Sequence, residues 1–60
     1  MSRAARPTKS DDVAKLSDDQ LAAYIADTRY RISAVGKASL RNDYRKQLEA
    51  AEKVRAERSA

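Results

Sequence analysis

The apolar residues between positions 16 and 36 follow a helical period. Leu21, Ile25, Thr28, Ile32 and Val35 are separated by alternating steps of four and three, a heptad seam in which Thr28 is the polar member. Local signals delimit this stretch at both ends. The Ser17 hydroxyl can accept from an otherwise unpaired N–H of the first turn, and Gln20 can reach back to the Ser17 N–H, which together make a capping box. Leu16 and Leu21 have the spacing of a hydrophobic staple across the cap. Asp18 and Asp19 place negative charge at the positive end of the helix dipole. Gly36 follows the last seam residue, where a left-handed glycine would end the helix. The pattern predicts a helix over 17–35.

Beyond Gly36 the phase of the apolar stripe changes. Extending the seam would place Ser39, Asn42, Lys46, Glu49 and Lys53 on it, all of them polar. The apolar residues that follow are Leu40, Tyr44, Leu48, Ala51 and Val54, on a stripe rotated by roughly 120° at about 100° per residue. A single straight helix would carry two unrelated stripes, whereas a break at 36–38 lets the stripes face each other. The predicted fold is therefore all-α, an antiparallel two-helix hairpin, with a second helix over 39–58 that Ser39 could cap. The side chains expected to be least exposed are Leu21, Ile25, Ile32, Val35, Leu40, Tyr44 and Leu48, with Tyr24 flanking the seam.

Upstream, Ser10, Asp11 and Asp12 repeat the opening Ser17, Asp18 and Asp19. This spacing fits a short helical turn with Ser10 as its cap, from which Val13 and Leu16 fold onto the hairpin. Residues 1–9 have no apolar period and carry Arg3, Arg6 and Lys9, and read as a disordered basic arm preceding a helical region over 10–60.

Length gives these elements a consequence. Sixty residues make one small domain. Below roughly 70–80 residues a core usually needs a staple or a partner. The chain has no cysteine and no histidine, so disulfides and the common zinc ligand sets are excluded. Association is the remaining route, as a homo-oligomer or by docking on a protein partner. In length and outline the chain is similar to small helical-hairpin dimers of the Rop type, a resemblance of architecture that carries no residue roles.

The net charge of +4 is unevenly spread. Residues 10–28 hold five aspartates against Lys15, while residues 29–46 hold Arg29, Arg31, Lys37, Arg41, Arg45 and Lys46 against Asp43. Residues 47–60 balance to zero. Lys37, Arg41 and Arg45 repeat a cation every four residues, a spacing that costs a few tenths of a kcal/mol per pair in a helix. Arg29, Lys37, Arg41 and Arg45 are the candidate basic patch for a partner. A second candidate surface is Ala23, Ala26, Tyr30 and Ala34, on the side of the first helix away from the seam, where small residues admit another helix and tyrosine is an interface anchor. The alternative function is nucleic-acid binding by the basic arm and the basic turn region.

Several classes are excluded. Gly36 is the only glycine, so no glycine-rich phosphate loop exists. A calcium loop starting at Asp11 would need glycine and glutamate where Leu16 and Ala22 stand. A tight DNA-reading helix-turn-helix wants an apolar residue where Asn42 stands. No grouping of nucleophile, base and oxyanion donor is present, so no enzyme, cofactor, metal or small-molecule substrate is expected. No apolar run approaches the ~20 residues of a membrane span, and the first residues lack the apolar core of a secretory signal. A cytoplasmic protein that does not enter the membrane is the expectation.

Overall fold

The computed structural model describes residues 7–59, which form three helices: α1 (Ser10–Val13), α2 (Asp18–Ala34) and α3 (Ala38–Ser59). The fold is all-α, and the two long helices pack together. None of the described helices is long and apolar enough to cross a membrane.

The single turn of α1 begins one residue earlier than expected. Lys9 occupies the N-cap position without a side-chain cap, and its carbonyl accepts from the Asp12 and Val13 amides at 3.1 and 3.0 Å. Ser10 is therefore the first helical residue and caps nothing. Two tight turns follow, Lys15 N–H to the Asp12 carbonyl and Leu16 N–H to the Val13 carbonyl, each at 3.2 Å. They turn the chain from α1 into the cap of α2 and leave Val13 fully buried.

Helix α2 starts as its local sequence dictates. The Gln20 amide donates to Ser17 Oγ at 3.2 Å and the Ser17 amide donates to Gln20 Oε1 at 3.0 Å, closing both halves of the capping box. At the other end the helix stops at Ala34. Val35 turns to an extended conformation (φ −81°, ψ 132°) while its N–H still bonds the Arg31 carbonyl at 2.9 Å. Gly36 is not left-handed, since no described residue has positive φ. The expected glycine stop is thus replaced by an extended exit at Val35. Helix α3 then begins with the Arg41 amide on the Lys37 carbonyl at 3.0 Å. Ser39 lies inside the helix and does not cap it.

Side-chain contacts pair the start of α2 with the end of α3. Arg58 Nη1 donates to Asp18 Oδ1 at 3.0 Å, Arg29 Nη2 reaches Glu52 Oε2 at 3.4 Å, and Arg41 Nη2 donates to the Val35 carbonyl at 3.1 Å. Helix α1 packs on α3.

The core is Val13, Leu21, Tyr24, Ile25 and Ala51, with Leu16, Leu48 and Val54 packed around it. Thr28, the polar member of the seam, is also buried, and its hydroxyl donates to the Tyr24 carbonyl one turn back at 2.7 Å. The expected core is thus displaced along the helices. Leu21 and Ile25 are buried; Ile32, Val35, Tyr44 and Leu48 are half-buried. Leu40 is 43% exposed. The periodicity placed Leu40 on the correct side of α3, because it lies eleven residues, about three turns, from buried Ala51. Its side chain nevertheless projects from the first turn of α3 back toward the helix start, where α2 has already ended. The core is closed at the end covered by α1 and open at the end where α2 passes into α3.

Candidate functional site

The residues of the expected basic patch fall into different environments. Lys37 lies in the link between α2 and α3 and is exposed; Arg45 is exposed two turns into α3. Neither has an ion-pair partner among the described residues. Arg41 lies between them at the same spacing but is half-buried and spends one guanidinium N–H on the Val35 carbonyl. That carbonyl is the C-cap of α2, where cations suit the dipole, so Arg41 holds the link between the helices. Arg29 is drawn to Glu52, farther along α3, and is separated from the other three.

The same end carries uncovered apolar surface. Ile32, Val35 and Tyr44 are half-buried and Leu40 is more open still. The Arg31 guanidinium carbon sits 5.8 Å from the centroid of the Tyr44 ring, while Arg31 Nε donates to Asp27 Oδ2 at 2.7 Å. Hydrogen bonding to Asp27, and next to Tyr44, raises the Arg31 pKa further above its ordinary value, so this residue is a fixed cation. The first turn of α3 contains no acidic residue, in contrast to α2 with Asp18 and Asp19. The positive end of the α3 dipole therefore adds to the cations around it.

The second expected surface is placed together and in solvent. Ala23, Ala26, Tyr30 and Ala34 are all exposed, with Tyr30 at 70%. They lie on the side of α2 opposite the buried Leu21, Ile25 and Thr28.

Two features escaped the periodicity. Arg58 Nη2 donates to the Ala14 and Leu16 carbonyls at 2.8 and 2.6 Å, in addition to the bond from Nη1 to Asp18. This one guanidinium ties the end of α3 to the link between α1 and α2. Its position five turns after Leu40 on the inward stripe was the available signal. The second is the Tyr24 hydroxyl, which donates to the Pro7 carbonyl at 2.7 Å and has Gln47 Oε1 3.3 Å away. Pro7 is half-buried, so the described end of the expected arm lies against the helices; residues 1–6 of that arm lie outside the described residues.

Two shallow clefts flank α3. One, of about 240 Å³, is lined by Asp18, Leu21, Ala22, Arg55, Arg58 and Ser59. The other, of about 370 Å³, lies between Thr8 and Ser10 on one side and Asp43, Lys46, Gln47 and Ala50 on the other. No group of three or more Asp or Glu that could hold a metal ion occurs among the described residues. Compared with protein-family models, with curated proteins and with solved structures, the chain matches none of them.

Proposed function

We propose that this chain is a non-catalytic helical hairpin, α2 and α3 antiparallel, that works as an interaction module. It docks on a protein surface, either a second copy or another protein, through the end where α2 passes into α3. The observation that carries this reading is the asymmetry of the core. Val13 of α1 is buried with Leu21, Ile25 and Ala51 of the long helices, whereas Leu40 is 43% exposed with Ile32, Val35 and Tyr44 half-buried beside it. Apolar side chains gathered on one uncovered end gain most from a partner that removes them from water.

A photo-crosslinking residue placed at position 40 tests the reading in the cells that make the protein. It is expected to form a defined protein adduct, and the same residue at exposed position 53 is not. No adduct from position 40, or equal adducts from both positions, contradicts it. A second reading, binding to nucleic acid, is favoured by the cations Lys37 and Arg45, which have no ion-pair partner among the described residues. A retention on heparin or DNA that falls steeply with salt would support it.

A further inference from the structure

We propose that the occupant of the open end is an acidic amphipathic helix of a different protein. It would lie with its apolar stripe on Leu40, Val35 and Tyr44 and its carboxylates on Lys37 and Arg45. This rests on the reading of that end as a protein-docking surface and adds the chemistry of the partner.

Charge complementarity selects the occupant. Residues 29–46 carry six cations and one aspartate. Part of this charge is used within the fold, by Arg29 on Glu52, Arg31 on Asp27 and Arg41 on the Val35 carbonyl. Among the described residues Lys37, Arg45 and Lys46 have no such duty. Lys37 stands in the link just before α3 and Arg45 on the flank of α3 adjoining the Leu40, Tyr44 and Leu48 stripe, whereas Lys46 lies on the far side, in the cleft with Thr8 and Ser10. Helix stability explains neither Lys37 nor Arg45: the positive end of the α3 dipole disfavours Lys37, just before the first turn, and Arg45, two turns in, gains nothing from it.

A second copy of the chain fits this end poorly. A two-fold contact would set Lys37 and Arg45 against Lys37 and Arg45 of the copy. A head-to-tail contact with Asp11, Asp12 and Asp19 of the next copy would be heterologous and would build a ring or a filament in place of a closed pair. A phosphate backbone would satisfy the cations and leave Leu40 and its half-buried neighbours in water. A helix with an apolar stripe flanked by glutamates uses both sets of groups at once, as in other helix-in-groove recognition.

The test uses the full chain and labelled synthetic helices read by fluorescence anisotropy. The probe has leucines at i, i+3, i+4 and i+7 flanked by glutamates. Its controls are a scrambled peptide of the same composition, a peptide with lysine for every glutamate, and a 20-base-pair DNA duplex. The acidic amphipathic helix is expected to bind tightest. Lys37→Glu with Arg45→Glu is expected to weaken it roughly tenfold at low salt, mainly through the association rate. Both residues are exposed, and circular dichroism checks that the fold persists. Leu40→Ser is expected to weaken binding with no change in salt dependence.

Equal binding of the scrambled acidic peptide would overturn the proposal by reducing it to net charge. Failure of the acidic helix to bind, or tighter binding of the duplex or the lysine helix, would overturn it as well. Light scattering separates the remaining case. A mass above the 6.7-kDa monomer that returns to 6.7 kDa on Leu40→Ser would place a second copy on this end. That result would overturn the acidic-partner proposal while leaving the docking reading intact, whereas the absence of any adduct from position 40 would remove the docking reading itself.

Discussion

Arg58 illustrates how one side chain can decide the position of an element remote in sequence. Its ion pair with Asp18 contributes little, because Asp18 is 89% exposed and the pair is screened by water. The two bonds to the Ala14 and Leu16 carbonyls are charge-assisted and satisfy backbone acceptors of the link between α1 and α2. Arg58→Met keeps most of the aliphatic stem and removes all three bonds. It is expected to cost about 1–2 kcal/mol. Amide hydrogen exchange should then rise at Lys15 and Leu16 before it rises in α2 or α3. Gly36 makes the opposite case. A Cβ added there meets nothing within 4 Å and the backbone needs no positive φ, so Gly36→Ala removes freedom from the unfolded chain alone. It should stabilise the protein by about 0.4–1 kcal/mol, seen as a melting temperature higher by a few degrees. A lower melting temperature would mean that the link adopts a left-handed turn in solution.

The elements differ in how far their sequence announces them. The start of α2 was legible because the capping box joins residues three apart, and such a signal needs no tertiary structure. The change of stripe phase after Gly36 was legible for the same reason, and so was the second long helix. The end of α2 was not, because the extended exit at Val35 and the Arg41 bond to its carbonyl depend on where α3 lies. The helical turn at α1 was anticipated, but not its N-cap at Lys9, and not that Val13 would be among the most buried side chains. Periodicity assigns a face to each residue, but the depth along that face depends on which segment covers it. This is why Ala51 is fully buried and Leu40 is not, although both share the stripe. Ala51 also limits how closely α3 approaches its neighbours. Ala51→Leu should overpack this contact and cost about 1–3 kcal/mol, measured by urea unfolding.

For the whole molecule, the candidate site was half legible. The concentration of cations between residues 29 and 46 is plain in the sequence. That Arg29, Arg31 and Arg41 are used inside the fold, leaving Lys37, Arg45 and Lys46 toward solvent, became visible only with the partners in place. The alanine and Tyr30 face of α2 was correctly read as lying away from the seam, and nothing among the described residues covers it. What unites these placements is a core to which α1 adds Val13 at one end and which is less covered where α2 passes into α3. The most direct measurement of that asymmetry is the unfolding free energy of two variants, Ile25→Ala and Leu40→Ala, in the isolated chain by urea denaturation. A closed end and an open end predict a loss of about 2–5 kcal/mol for Ile25→Ala and under about 1 kcal/mol for Leu40→Ala. Equal losses at the two positions would show that Leu40 is covered in the free protein, and would contradict an open end available for docking.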